Sequence, residues 1–95
     1  MKAKEIKKAL EKKGFIKEEG KKHTKFILHI NGKKKRVMTI FSRGRDKQEL
    51  GEELIKRIMK QLRFENDRDK FKDFVECPMS KNDYIHYLRE KRVLE

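Results

Sequence analysis

The chain has 95 residues, enough for one small domain with a modest hydrophobic core. Its 28 Lys and Arg against 16 Asp and Glu give a net charge of +12, which indicates a polyanionic partner, nucleic acid ahead of an anionic membrane surface. A single cysteine excludes an internal disulfide, and no apolar run is long enough to span a membrane. Since the first residues also lack the apolar centre of a signal peptide, we expect a cytoplasmic protein.

The first predicted element is an amphipathic helix over residues 3–13. Ile6, Ala9 and Leu10 recur at helical spacing, and the lysines between them are expected to face water. Gly14 suits the position just after the end of this helix. Residues 15–18 then predict a short strand.

A hairpin over residues 20–42 dominates the chain, with Asn31-Gly32 as its turn, because a two-residue type I′ turn needs positive φ at both central positions. This loop predicts that Phe26 faces Val37 and that His23 faces Ile40. Side-chain alternation separates two faces. The predicted core face carries Phe26, Leu28, Ile30, Val37, Thr39 and Phe41. The second face carries His23, Lys25, Ile27, His29, Arg36, Met38, Ile40 and Ser42.

A second helix is predicted to begin between Asp46 and Gly51. Either Asp46 and Glu49 form a capping box, or Gly51 is the N-cap. The helix carries an apolar stripe that must cover the sheet: Leu54, Ile55, Ile58, Met59 and Leu62.

Two more short helices are predicted beyond residue 63. Asn66 or Asp67 opens the third and Pro78 ends it, while Ser80 and Asp83 cap the fourth. Cys77, among apolar residues, is expected to be a buried, inert thiol. Helices this short need a surface to pack on. The candidates are the apolar part of the second hairpin face and the back of the first helix.

The predicted fold is therefore α+β, with the order α-β-β-β-α and a three-stranded antiparallel sheet. Residues 1–63 form this core. Residues 64–95 form a helical extension packed on the same domain.

His23 is the candidate catalytic residue, because histidine exchanges protons near neutral pH and lysines beside it can hold a phosphodiester. These parts suffice for metal-independent RNA cleavage. The alternative is a strand-end histidine that is only polar surface or a contact to nucleic acid. We find no metal-ligand spacing and no glycine-rich phosphate loop, so no metal or cofactor is expected. The predicted RNA-binding residues are Lys21, Lys22, Lys25, Lys34, Arg36, Arg43 and Arg45.

The chain resembles the HicA toxin family in the opening KAKEIKKALEKKGF, in the G-x-x-H of Gly20 and His23, and in LIKRIMKQL. The tail DFVECPMSKNDYIHYL looks like the extension of longer HicA-like sequences. The resemblance implies a double-stranded-RNA-binding-domain-like fold, mRNA interferase activity and a HicB antitoxin as partner. It also implies that His23 takes the place of the catalytic histidine. Two positions depart from the family pattern: Lys21 replaces a serine, and Arg43 stands where a second histidine is common.

Two other functions stay open at this point. Double-stranded-RNA-binding modules also have a G-x-x-H before a strand, but the Lys-rich start of their last helix is the acidic DKQELGEEL here. In the second alternative, an adaptor, the extension helices present Tyr84, Tyr87 and Leu88 to a protein partner.

Overall fold

The computed structural model describes residues 1–43, 48–76 and 78–94. The elements are α1 (Ala3–Lys12), β1 (Phe15–Glu19), β2 (His23–Ile30), β3 (Lys33–Ser42), α2 (Glu52–Gln61), α3 (Arg68–Glu76) and α4 (Lys81–Glu90). The strands form an antiparallel sheet in the order β1-β2-β3. The predicted α+β class and the order α-β-β-β-α with further C-terminal helices are confirmed. Within these ranges, no helix combines the length and apolar character needed to cross a membrane.

The hairpin turn forms at the predicted residues. Asn31 and Gly32 have φ of 52° and 78°, and Ile30 pairs with Lys33 across the turn. Such positive φ values are what the type I′ turn requires of its two central residues. The turn signal therefore fixed the register of the first residue pairs.

A bulge shifts the register farther from the turn. His29 pairs with Lys34, but Ile27 pairs with Met38, so one residue of β2 opposes three of β3 between these pairs. The predicted pairs of Phe26 with Val37 and His23 with Ile40 are therefore wrong. Phe26 pairs with Thr39 and His23 with Ser42. Because the shift is two residues, the alternation of side chains is preserved and both predicted faces are correct.

The core lies between the predicted core face of the hairpin and the helices. Of that face, all members are buried except Ile30, which is partly buried against the same cluster. Each of the first two helices contributes its apolar stripe, and the buried members are Ala3, Ile6, Ala9, Leu10, Ile55, Ile58, Met59 and Leu62. Gly51, extended at φ −69° and ψ 158°, is the N-cap of α2. Asp46, the alternative start, lies outside the described residues.

The C-terminal helices add an aromatic cluster to this core on the side of α1. The ring centroids of Phe74 and Tyr84 lie 4.8 Å apart, those of Phe64 and Phe74 5.4 Å, and those of Phe15 and Tyr84 5.9 Å. Lys13, at the end of α1, is buried with its Nζ 5.2 Å from the centroid of Phe74. Of the two candidate surfaces, the helices therefore occupy the one next to α1.

Local signals in the extension behave as predicted. The Ser80 hydroxyl accepts the Asp83 N–H at 3.1 Å and the Asp83 carboxylate accepts the Ser80 N–H at 3.0 Å, which completes the capping box of α4. Asp67 accepts the N–H of Lys70 at 3.1 Å, just before α3. Cys77 lies outside the described residues.

The adaptor alternative is wrong in the form given above. Tyr84, Tyr87 and Leu88 are buried, with 0%, 6% and 0% of their surface exposed, so they present nothing to a partner. The Tyr84 hydroxyl donates to the Leu62 carbonyl at 2.8 Å, which ties α4 to the end of α2.

The second face of the sheet is more exposed than the core face. Ile16 and Ile40 are 51% and 37% exposed there, whereas the aromatic residues of the opposite face are almost fully buried. Ile16, Ile27 and Met38 are aligned across the three strands by their pairing. We call this side the open face, and His23 belongs to it.

Candidate functional site

The turn from β1 into β2 positions His23. The Gly20 N–H donates to the His23 carbonyl at 2.8 Å, and the Arg43 N–H donates to the Lys22 carbonyl at 3.2 Å. A Cβ on Gly20 would lie 3.2 Å from the His23 carbonyl oxygen, so glycine suits this close backbone approach. His23 begins β2 with its side chain exposed, and the C-terminal helices lie elsewhere. Its imidazole is therefore accessible from solvent.

Three of the predicted basic residues surround His23. Lys21, Lys22 and Lys25 line one pocket with it, of about 260 Å³. Glu18 and Glu19 line the same pocket, which the sequence analysis did not anticipate. This pocket, called the lysine pocket below, thus combines an imidazole, three ammonium groups and two carboxylates.

Lys34 and Arg36 lie on the open face but do not line this pocket. Lys34 pairs with His29 near the hairpin turn, and its Nζ forms an ion pair with Glu18 at 3.1 Å. This ion pair occupies one carboxylate next to Lys25, because Glu18 is the β1 neighbour of Lys25. As contacts to RNA, Lys34 and Arg36 remain predictions.

Arg43 lies on the opposite side of the sheet from His23. Its side chain lines a groove together with Thr24 and Phe26, whose side chains belong to the buried face of β2. Its Nη1 donates to the Gly20 carbonyl at 2.9 Å, and its Nη2 lies 4.0 Å from the Glu19 carboxylate. Arg43 therefore stabilises the turn before His23 by its contacts with Gly20 and Glu19. Arg45 lies outside the described residues.

Arg43 belongs to a second basic groove, which was not predicted from the sequence. This groove, of about 320 Å³, is lined by cationic side chains and two carboxylates: Lys4, Lys7, Lys8, Lys17, Arg43, Glu11 and Glu19. The Lys7 Nζ lies 5.3 Å from the ring centroid of Phe41. The lysines of α1 appeared merely solvated in the sequence, yet their spacing of three to four residues already placed them on one helix face.

A third cavity adjoins His23 on the side of α2. It lies between the end of β3 and one side of α2, and it has a volume of about 420 Å³. Arg57 and Gln61 line it together with apolar side chains. Neither residue was a candidate from the sequence, because only tertiary packing brings α2 alongside β3.

The other histidines do not join this site. The Nε2 of His29 is buried and has no hydrogen-bond partner within the described chain, and the Nε2 of His86 lies 2.8 Å from Glu90 on α4. Within residues 1–43, 48–76 and 78–94, no group of three His, Cys, Asp or Glu side chains is arranged to hold a metal ion. His23 is therefore the one described histidine that lines the lysine pocket.

Comparison with known proteins identifies the family. Residues 3–64 match the sequence model of the HicA toxin of bacterial toxin-antitoxin pairs. The match covers well over half of the chain, from α1 through α2, and leaves α3 and α4 outside. Searches of curated proteins and of solved structures returned no match. The chain therefore belongs to the HicA toxin family, with two further helices after the matched region.

Proposed function

We propose that this toxin-family protein is a metal-independent endoribonuclease that cleaves mRNA and uses His23 to transfer a proton. The observation that carries the proposal is the exposed His23 imidazole in a pocket with Lys21, Lys22 and Lys25. An imidazole exchanges protons near neutral pH, and ammonium groups attract a phosphodiester and stabilise charge on it. The toxin family adds the expectation of a growth-inhibiting activity held in check by an antitoxin.

The reaction needs one proton removed and one supplied. The ribose 2′-oxygen attacks the adjacent phosphorus while its proton is removed, and the bond from phosphorus to the 5′-oxygen breaks. The departing oxygen takes up a proton, which leaves a 2′,3′-cyclic phosphate and a 5′-hydroxyl. His23 performs one of these two transfers and water performs the other. The three lysines hold the phosphate and offset the negative charge that builds up on its oxygens.

The family pairing makes an antitoxin of the HicB type the proposed protein partner. An antitoxin gene is usually a neighbour of its toxin gene in such pairs, so the adjacent open reading frame is the place to look for it.

The test compares wild type with His23→Ala on a structured mRNA in EDTA. Loss of one general acid or base should lower the cleavage rate by roughly 100-fold or more, while RNA affinity, which depends on the lysines, should change little. His86→Ala is the matched control, because His86 is exposed on α4 and contacts Glu90. Unchanged cleavage by His23→Ala would reject the assignment. Salt-dependent binding of duplex RNA by wild type without any cleavage would favour the non-catalytic RNA-binding alternative instead.

A further inference from the structure

His23 separates two pockets of different character. On one side is the lysine pocket, and on the other is the cavity between β3 and α2. His23 lines both of them, and they share no other residue. The second cavity is the larger, about 420 Å³ against about 260 Å³, which lies within the size range of small-ligand sites.

The walls of the second cavity are half apolar. Ile40, Leu50 and Leu54 contribute aliphatic side chains, and Ile40 is 37% exposed there. Contact with apolar walls does not stabilise a charged phosphate, whereas it does stabilise the flat, largely apolar face of a nucleobase. The cavity therefore suits the base of a nucleotide better than its backbone.

Two polar side chains of α2 offer hydrogen-bond donors to the cavity. Arg57 and Gln61 lie one turn apart on α2, and both line the cavity. The buried Thr39 hydroxyl donates to the Gln61 Oε1 at 2.6 Å, which orients the amide and leaves the two N–H groups of Nε2. Arg57 is exposed and forms no ion pair with a described residue.

The carboxylate in this cavity is already engaged. The amino group of Met1 donates to Glu49, and this contact lowers the pKa of the Glu49 carboxyl. Glu49 thus stays ionised and bound to a partner. On the α2 wall, Arg57 and Gln61 present N–H donors, whereas His23, Ser42 and Gln48 elsewhere in the lining can donate or accept. A ligand edge that faces α2 therefore has to carry acceptors.

We infer that the cavity between β3 and α2 binds one unpaired RNA base beside the scissile phosphate, with guanine preferred. This inference rests on the proposed function, since it takes the lysine pocket as the phosphate site. Guanine offers the acceptors O6 and N7 on one edge, which a guanidinium binds with two hydrogen bonds. Proteins read RNA sequence mostly from such unpaired bases. A base in this cavity lies across His23 from the lysines, so a backbone phosphate of the same RNA strand can reach them.

Two variants and one control isolate the base contacts. Arg57→Gln removes the guanidinium, and Lys56→Gln removes the same charge from the neighbouring exposed position, which does not line the cavity. Gln61→Glu keeps an oxygen to accept from Thr39 but replaces the N–H donors with an acceptor. Lys56 and Arg57 are exposed, and the half-buried Gln61 keeps its acceptor for Thr39 in the Glu variant, so the fold is expected to survive each change.

The first readout is the base distribution around the cuts made in a randomised single-stranded RNA pool. Wild type and Lys56→Gln should enrich guanine at one position next to the cut. Arg57→Gln and Gln61→Glu should weaken that enrichment by about tenfold. A wild-type distribution without base preference, or a preference that Arg57→Gln leaves intact, would overturn the inference.

The second readout separates this inference from the nuclease proposal. A 2′-fluoro RNA pool lacks the attacking hydroxyl and cannot be cleaved by this chemistry, so retention on the protein reports binding alone. Guanine-dependent retention by wild type, reduced in Arg57→Gln and kept in Lys56→Gln, supports the base site even if wild type cleaves no RNA. Retention without base preference, or no retention at all, counts against the base site even if natural RNA is cleaved.

Discussion

The two faces of the sheet differ in what covers them. On the core face, the helices and the sheet enclose aromatic rings in contact, and Phe26, Phe64 and Phe74 are at most 1% exposed. On the open face, Ile16 remains half exposed and His23 stands among charged side chains. The helices beyond the family match add to the first face alone.

This difference separates stability from the proposed activity. Burial of apolar surface is the main favourable contribution to folding, and nearly all of it lies on the core face. The candidate site uses side chains that remain in water, whose replacement usually changes stability by less than about 0.5 kcal/mol. Variants on the two faces should therefore differ in their effects on stability and on RNA cleavage.

Phe74→Ala should produce the largest effect on stability. Phe74 is fully buried and contacts the rings of Phe15, Phe64 and Tyr84. Its truncation leaves a cavity and should lower the free energy of unfolding by about 3–5 kcal/mol, measured by denaturant titration. The matched change on the open face is Ile16→Ala, expected to cost about 0.5 kcal/mol. Similar losses from the two variants would contradict the division between the faces.

Tyr84→Phe should have an intermediate effect. Its buried hydroxyl donates to the Leu62 carbonyl, and burial raises the pKa of the Tyr84 phenol, so the group stays a donor at any ordinary pH. Removal leaves a buried carbonyl unpaired and should cost about 1–3 kcal/mol of unfolding free energy.

Tyr87→Phe is the control for this change. The Tyr87 hydroxyl donates to the next carbonyl, that of Arg63, at 2.6 Å in a partly buried position that water can reach. Its loss should therefore cost less than the loss of the Tyr84 hydroxyl. A larger loss of unfolding free energy in Tyr87→Phe than in Tyr84→Phe would show that burial does not determine how much each hydrogen bond contributes to stability.

The sequence was sufficient for the elements and faces of the hairpin. Asn31-Gly32 fixed the turn, and alternation assigned both faces correctly. It was not sufficient for the strand pairs beyond His29, because a two-residue bulge changes every partner yet leaves the alternation intact. Hydrophobic pattern alone cannot detect such a shift.

The candidate site was predictable only where its residues are neighbours in sequence. Lys21, Lys22 and Lys25 surround His23 because one turn and one strand carry them all. Arg43 was predicted to bind RNA with them, but its side chain lines the groove on the other face of the sheet. Arg57 and Gln61 reach the site only because α2 packs along β3, and no local pattern in the sequence encodes that contact.

The smallest predicted effect is a loss of stability at acidic pH that comes from the cap at the start of α4. The backbone N–H and the hydroxyl of Ser80 hydrogen-bond to Asp83 and lower the pKa of its carboxyl below the ordinary 3.8. The folded-state pKa lies below the unfolded one. The cap therefore stabilises the fold fully above about pH 4, and this contribution is lost as the pH falls through the folded-state pKa.

Asp83→Asn tests this assignment in denaturant titrations at neutral pH and below pH 4. The variant should be less stable than wild type at neutral pH, and the two proteins should converge in acid, where both side chains are uncharged. Asp73→Asn removes the same charge from an exposed position on α3 and reports the effect of charge alone. A difference between wild type and Asp83→Asn that persists undiminished in acid would show that side-chain shape, not the carboxylate charge, maintains the cap. The buried rings of α4 would then hold this helix on the core face, and its amino-terminal cap would make no pH-dependent contribution to the free energy of unfolding.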